Sequence, residues 1–310
     1  MNEILLVLGL VLILGGANYL TDGAAAIAKR LRISEFVVGM TIVAIGTSMP
    51  EMVVSVISAM KGNGDLAVGN VVGSNIFNTF AILGLCALIK PMMLTNDNIK
   101  KDIPMAIIAS LILIGVSYSG TIHRSHGVIM LLIYFALMLY SIKSSNKNID
   151  TYKESTSSDT IMSPLLAVLL IIGGLGALIG GGQLFLNSAV SIAESLNIPQ
   201  NVIAITLVAG GTSLPEMAAS LVSLLKGKND IALGNVLGSN IANIFLVLGL
   251  SSSITPLAMN GITIVDMMVA LAGVVMLMIA PFTFKKRYLG RIESLLLLCS
   301  FVAYMYYVIS

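Results

Sequence analysis

Long apolar segments dominate this sequence and leave few folds open to it. A helix needs about 20 apolar residues to cross the hydrocarbon core of a bilayer, and ten stretches of the 310-residue chain meet that requirement. The ten stretches are 3–29, 36–60, 66–90, 102–119, 126–143, 163–195, 200–225, 231–256, 262–284 and 289–309. Only 10% of the residues are charged, whereas a soluble domain carries about 25%. The sequence therefore predicts an all-α membrane protein with ten transmembrane helices.

The basic residues divide unevenly between the two sets of loops that this topology produces. Lys61 and Arg124 fall on one side, and the other 15 of the 17 lysines and arginines fall on the opposite side. Cytoplasmic loops carry an excess of Lys and Arg, so we expect the larger set in the cytoplasm and both termini outside. The chain begins Met-Asn-Glu without a positive segment, which indicates a first transmembrane helix rather than a cleaved signal peptide. We expect an integral protein of a prokaryotic plasma membrane.

The sequence contains an internal repeat whose equivalent residues are 165 positions apart. Residues 41–80 pair without gaps with 206–245, and 24 of the 40 positions are identical. Because an odd number of spans separates the copies, they enter the membrane with opposite topology, as in many secondary transporters. The sequence thus predicts two inverted five-helix repeats, 1–143 and 163–310, joined by a cytoplasmic linker over 144–162.

A glutamate within the second and the seventh predicted span is the clearest chemical signal of the chain. Glu51 and Glu216 occupy equivalent positions in TSMPEM and TSLPEM. A charged residue in a membrane span is costly and is a functional candidate by default. The preceding prolines remove a backbone donor and break the helix, so each copy should expose carbonyl groups beside one carboxylate. The hydroxyls of Thr47, Ser48, Thr212 and Ser213 lie at the same two places.

The third and eighth predicted spans add a second repeated motif, GNVVGSNIFN and GNVLGSNIAN. Its polar residues are Ser74, Asn75 and Asn78 in the first copy and Ser239, Asn240 and Asn243 in the second. Serine and the later asparagine are four residues apart and should share a helix face. The intervening asparagines, Asn75 and Asn240, are displaced from that face and are expected to cap or brace helices.

These residues form a donor set of oxygens alone, without thiolate or imidazole. Oxygen ligands suit hard cations, and Ca²⁺ accepts six to eight of them, including carboxylates, whereas zinc and copper favour nitrogen or sulfur. Two carboxylates match the charge of one Ca²⁺. Without an ion they repel each other, so a compensating cation on the return stroke favours exchange over uniport. The expected partners are these ions and the lipid bilayer, with no cofactor, nucleic acid or obligate protein partner indicated.

Other functions remain open at this point. Proton/calcium exchange would replace sodium by protonation of the glutamates, although protons do not need the repeated hydroxyl groups. A passive channel is a further alternative, but kinked, repeated half-sites fit alternating access better. An intramembrane enzyme is disfavoured because the sequence contains no HExxH motif and no nucleophile–base pair.

The paired motifs resemble the two alpha repeats of the calcium/cation antiporter superfamily, in its sodium/calcium exchanger branch. The resemblance covers essentially the whole chain, and it implies exchange of three Na⁺ for one Ca²⁺. It also implies that the long first and sixth helices slide as a gate.

The resemblance assigns ligand roles to particular residues. Glu51 and Glu216 would bind Ca²⁺ together with the carbonyl groups of Thr47 and Thr212. The sodium sites would use the same glutamates with Ser48, Ser74, Ser213, Ser239 and the carbonyl groups of Ala44 and Ala209. Some members carry an aspartate at the position of Asn78 or Asn243, and the potassium-dependent branch relies on one there. Asparagine at both positions argues against potassium coupling and leaves the site with two negative charges.

Overall fold

The computed structural model describes residues 2–147, 162–196, 209–259, 261–284 and 286–309. The described helices are α1 Asn2–Leu31, α2 Glu35–Val38, α3 Ala44–Thr47, α4 Met49–Met60, α5 Gly64–Ile76, α6 Leu83–Ile89, α7 Ile103–Ser117, α8 Arg124–Lys147, α9 Pro164–Ser195, α10 Ala209–Gly211, α11 Leu214–Leu225, α12 Asn229–Ala242, α13 Gly249–Ile254, α14 Ile264–Ile279 and α15 Arg291–Ile309. A 3₁₀ turn, Ala280–Phe282, follows α14. The predicted all-helical membrane character is confirmed, and the strands among these residues are only two residues long.

The lengths of the helices do not establish the predicted count of ten spans. Among the described residues, seven helices are long and apolar enough to cross a membrane, or eight if the bent segment α2–α4 counts as one span. Helix α7 has only 15 residues. Part of the predicted seventh span, and most of the predicted linker 144–162, lie outside the described residues. Each of the ten predicted segments nevertheless contains a described helix.

The 165-residue repeat extends to the secondary structure. Helix α11 begins and ends 165 residues after α4, and both begin one residue before their proline. Helices α5 and α12 each lead into a π-helical segment, Phe77–Ile82 and Asn243–Leu248. Two further π-helical segments, Gly39–Val43 and Asn98–Asp102, precede α3 and α7. Because π-helical turns within α-helices frequently occur at functional sites, the two that follow the GSN motifs mark these spans as candidate functional segments.

Two short antiparallel sheets connect helix ends. Strand β1, Met92–Met93, pairs with β4, Tyr288–Leu289. Strand β2, Thr121–Ile122, pairs with β3, Leu257–Ala258. Each sheet joins a strand of the first predicted repeat to a strand of the second, and its main-chain hydrogen bonds satisfy polar groups where the helices end.

The chain forms two compact units, and each contains segments from both predicted repeats. The first compact unit consists of Met1–Thr47 and Ala136–Gly238, and the second of Ser48–Phe135 and Ser239–Ser310. In the first unit, α1 packs along α9, and α11 contacts both helices. In the second unit, α14 contacts α5 and α7, and α15 contacts α6.

Glycines allow α1 and α9 to approach within backbone contact. A Cβ atom added to Gly16 would lie 2.7 Å from the carbonyl oxygen of Gly174, and one added to Gly9 would lie 2.9 Å from that of Gly181. The next contact along α1 is Gly23 against Ala167, so the partner numbers fall as those of α1 rise and the two helices run antiparallel. Small residues at such contacts drive helix association in lipid, where the hydrophobic effect contributes little.

We predict that Gly16→Ala lowers the apparent melting temperature of the detergent-solubilised protein. The new methyl group would be forced against the backbone of α9, and overpacking of this kind costs roughly 1–3 kcal/mol. Gly15→Ala is the matched control because a Cβ at Gly15 meets nothing within 4 Å. Equal melting temperatures of the two variants would contradict the close contact of α1 with α9.

Candidate functional site

The prolines of the repeated motif divide their helices at equivalent serines. Helix α3 ends at Thr47 and α4 begins at Met49, so the helix is broken at Ser48. Ser48 has φ −81° and ψ 9°, and Ser213 between α10 and α11 has φ −89° and ψ 8°. These values fall in the sparsely populated bridge region, where many active-site residues lie. The predicted helix break is therefore confirmed in the first copy, and the second copy shows an interruption at the equivalent place.

Both glutamates are completely buried in the first turn of the helix that follows the break. The side chains of Glu51 and Glu216 are 0% exposed. Each carboxylate thus lies at a helix N-terminus, where backbone N–H groups and the helix dipole favour negative charge. Because an isolated buried charge is costly, the position suits a carboxylate that binds a cation.

In the first compact unit, Asn235 connects the segments that carry Glu216 and Thr47. Its Nδ2 atom donates to the carbonyl oxygen of Glu216 at 3.2 Å and to Oγ of Ser220 at 2.9 Å. Its Oδ1 atom accepts a hydrogen bond from Oγ1 of Thr47 at 3.1 Å. The same hydroxyl lies 3.4 Å from the carbonyl oxygen of Ala44. One buried amide therefore holds the second-repeat glutamate helix and the end of α3 in register.

In the second compact unit, Asn70 makes the corresponding contacts to α4. Its Nδ2 atom donates to the carbonyl oxygen of Glu51 at 3.1 Å and to Oγ of Ser55 at 2.9 Å. The distances equal those of Asn235 within 0.1 Å. Sequence reasoning missed Asn70 and Asn235 as site residues, although both occupy the second position of the GNV segment that is identical in the two repeats.

Four asparagines of the GSN motifs form a buried network in the second unit. Nδ2 of Asn78 donates to Oδ1 of Asn240 at 3.2 Å, and Nδ2 of Asn243 donates to Oδ1 of Asn75 at 3.1 Å. Nδ2 of Asn75 donates to the carbonyl oxygen of Asn240 at 3.2 Å. Asn240 completes its bonds through Thr79, at 2.7 Å. The expected bracing role of Asn75 and Asn240 is confirmed.

This network leaves the side-chain oxygens of Asn78 and Asn243 without a hydrogen-bond partner among the described residues. Oδ1 of Asn78 and Oδ1 of Asn243 are both buried and unpartnered, as is Oγ of Ser239. In the first unit the same holds for Oγ1 of Thr212. A buried polar atom without a partner costs about 1–3 kcal/mol. Orphaned oxygens with fixed orientation fit the ligands of a hard cation.

The two units divide the predicted site residues between them. The first contains Glu216 with Thr47, Thr212, Ser213, Ala44 and Ala209, and the second contains Glu51 with Ser48, Ser74, Ser239, Asn78 and Asn243. In the first unit, α11 contacts α3, and in the second, α4 contacts both α5 and the π-helical segment Asn243–Leu248. Each glutamate helix therefore packs against a segment of the opposite repeat within its own unit.

Comparison with known proteins places this arrangement in a family. The chain matches the family model of the sodium/calcium exchanger protein over residues 3–143 and 166–310. The chain belongs to the sodium/calcium exchanger family. Its members are membrane transporters that exchange cations, so this protein is an integral membrane cation antiporter. The resemblance inferred from the motifs to the sodium/calcium exchanger branch is thereby confirmed.

Individual relatives match the chain over nearly its full length. CaxA of Alkalimonas amylolytica is 36% identical, covering 99% of this chain and 98% of the relative. The sodium/calcium exchanger MaX1 of Methanosarcina acetivorans is 30% identical, covering 98% and 97%. The solved structure of the sodium-calcium exchanger NCX_Mj soaked with zero Na⁺ and Ca²⁺ superimposes with a TM-score of 0.86 at 29% identity, covering 99% and 98%.

We predict that Asn235→Ala destabilises this family member through loss of the bridge between α11 and α3. The change removes three hydrogen bonds and leaves buried hydroxyls unsatisfied, at about 1–3 kcal/mol each. The apparent melting temperature in detergent should fall by several degrees, and Asn70→Ala should behave alike in the other unit.

A double-mutant cycle separates this bridge from general destabilisation. Because Ser220→Ala removes the partner of the same bond, the double variant with Asn235→Ala should lose less than the sum of the single changes. Strict additivity of the two losses would show that the Asn235–Ser220 contact contributes nothing.

Proposed function

We propose that this protein exchanges Na⁺ for Ca²⁺ across the membrane by alternating access, with Glu51 and Glu216 as the charged ligands. The observation that carries the proposal is an arrangement that occurs once in each repeat. A fully buried glutamate directly follows a proline, and an asparagine side chain donates a hydrogen bond to the backbone carbonyl group of that glutamate. Duplication of a buried charge together with its bracing amide is not expected from helix packing alone. It supports a site to which each repeat contributes one carboxylate.

The remaining ligands that we propose are those that the family resemblance implies, together with the two asparagines of the GSN motifs. For Ca²⁺ we propose both glutamates with the carbonyl groups of Thr47 and Thr212. For Na⁺ we propose the same glutamates with the residues whose hydroxyl, carbonyl or amide oxygens lie nearby in sequence: Ser48, Ser74, Ser213, Ser239, Ala44, Ala209, Asn78 and Asn243. The unpartnered Oδ1 atoms of the last two support direct ligation, and their amide groups add no charge.

The stoichiometry that we propose, three Na⁺ for one Ca²⁺, is the one that the family resemblance implies, and the net charge moved per cycle follows from it. Two carboxylates balance one Ca²⁺, whereas three Na⁺ on the same site leave one net positive charge. Exchange of three Na⁺ for one Ca²⁺ therefore moves one charge per cycle. Proton/calcium exchange is the alternative, because protonation could neutralise the same buried carboxylates on the return stroke.

The topology that we propose is ten transmembrane helices in two inverted repeats, 1–143 and 163–310, with the linker 144–162 in the cytoplasm and both termini outside. The equal spacing of α4 and α11 supports the repeat, and the uneven distribution of lysine and arginine supports the orientation. Bacterial and archaeal relatives support a prokaryotic plasma membrane.

We predict that proteoliposomes loaded with Na⁺ take up calcium-45 and that Glu51→Gln and Glu216→Gln abolish this uptake. Two unit charges 4 Å apart interact by about 4 kcal/mol at an effective dielectric constant of 20. Loss of one carboxylate should therefore reduce the initial rate at least about a hundredfold. The exposed Glu3 near the start of α1 provides the control Glu3→Gln, which should transport like the wild type.

Vesicles loaded with choline or with acid complete the experiment. No uptake should occur with choline, and none should be driven by internal acid at equal external Ca²⁺. Uptake driven equally by acid loading would assign the protein to proton coupling. Unimpaired transport by the two glutamine variants would refute the site while leaving exchange itself intact.

The membrane potential provides a separate prediction for the proposed stoichiometry. One charge crossing the membrane gains or loses about 2.3 kcal/mol per 100 mV. The steady-state Ca²⁺ gradient should therefore change roughly 50-fold per 100 mV, with inside-positive vesicles accumulating more Ca²⁺. Potassium and valinomycin set the potential, and accumulation that is independent of it would exclude a three-to-one exchange.

A further inference from the structure

The second compact unit contains a cleft of about 620 Å³. The cleft is lined by cationic side chains, whereas the proposed ion ligands are carboxylate, hydroxyl, carbonyl and amide oxygens. It lies between the start of the segment that contains α7 and the turn that follows α14. Lys100, Lys286 and Arg287 line it with positive charge, and Ile99 and Phe282 are among its apolar residues. The ion-binding proposal uses none of these side chains.

The three positive charges of the cleft are not neutralised by described carboxylates. Neither Lys100, Lys286 nor Arg287 forms an ion pair with an acidic side chain of the described residues. The adjacent Lys101, in contrast, lies 3.1 Å from Asp97. Glu293, the acidic residue near the turn, accepts a hydrogen bond from the backbone N–H of Gly290 at 3.1 Å and contacts Thr283. The cleft therefore presents a net positive surface to whatever occupies it.

The backbone at Arg287 is held in an unfavourable conformation. Its φ angle is 64°, which lies in the left-handed region that residues other than glycine, asparagine and aspartate rarely adopt. Its N–H donates to the carbonyl oxygen of Pro281 at 2.9 Å, and its carbonyl oxygen accepts from the N–H of Leu94 at 2.8 Å. These bonds keep the turn in place beside the start of α7. Strained residues of this kind cluster at ligand-binding positions.

The basic residues are not a requirement of the repeated fold. The position 165 residues after Lys100 is Val265, and the position after Lys101 is Asp266. Both stretches precede or begin a helix that follows a two-residue strand, yet only the first carries lysines. The lysines before α7 therefore distinguish the first copy of this duplicated element from the second.

We propose that the cleft binds the phosphate headgroup of an anionic phospholipid at the membrane surface. Basic pockets among transmembrane helices are suited to such headgroups. The side chain of Phe282 is 68% exposed, and that of Phe284 beyond it is 70% exposed. Phe282 lines the charged cleft, so a lipid chain would contact its exposed apolar ring while the phosphate contacts the cations. A free phosphate ion would leave the apolar half of this surface uncovered.

The test is native mass spectrometry of the full-length protein in detergent with added phosphatidylglycerol. Each basic side chain near an anionic lipid surface strengthens association about fivefold. We therefore expect Lys100→Gln/Lys286→Gln to retain phosphatidylglycerol roughly 25-fold less than the wild type, and Lys286→Gln alone about fivefold less. Phosphatidylcholine should be retained weakly by all variants.

The neighbouring Lys101→Gln is the matched control, since it removes the same charge from a lysine that pairs with Asp97. Equal retention of phosphatidylglycerol by Lys101→Gln and the double variant would overturn the proposal, as would equal retention of phosphatidylcholine by the wild type. Displacement of the lipid by millimolar inorganic phosphate would assign the cleft to a soluble anion. The size-exclusion profile monitors folding, and the single variant tests the site if the double variant does not fold.

Discussion

The proline before each buried glutamate is the constraint on which the rest of the structure depends. In a bilayer, every backbone polar group must find a partner within the protein, and proline removes one of the hydrogen bonds that a continuous helix would supply. The break at Ser48 therefore requires polar partners nearby. Amide side chains lie beside both breaks: the half-buried Asn70 donates to the carbonyl group of Glu51, and the buried Asn235 donates to that of Glu216. The glutamates lie at helix N-termini, beside polar side chains, and are fully buried.

The asparagine network has the same physical basis. Asn75 and Asn240 use their amide groups to orient Asn78 and Asn243. Because an asparagine amide has one acceptor and two donors, using its nitrogen for bracing directs its oxygen elsewhere. Rigid orientation matters for a site that must distinguish ions by the number and spacing of oxygens. Two of the four asparagines thus position the other two.

Two modes of packing hold the helices together. One joins α1 to α9 through glycines, and the other joins the helices that carry the buried glutamates and asparagines. Helices α1 and α9 meet through small residues, because lipid gives no hydrophobic driving force and close van der Waals contact is what remains. The polar helices are instead held by hydrogen bonds between buried side chains. A contact based on small residues has no directional bonds to break, whereas the bonds of the polar helices fix particular atoms relative to one another.

The sequence by itself determined the membrane class, the repeat of 165 residues, the broken helices and the paired glutamates, because each leaves a local signature. Apolar length, proline position and internal identity can all be read without knowing which segments meet. The topology of ten spans and the ion ligands remain predictions. Only the tertiary structure revealed Asn70 and Asn235 as braces and the pairing of Asn78 with Asn240. Those contacts join residues up to 188 positions apart, and an asparagine in a membrane helix gives no indication of its partner until the helices pack.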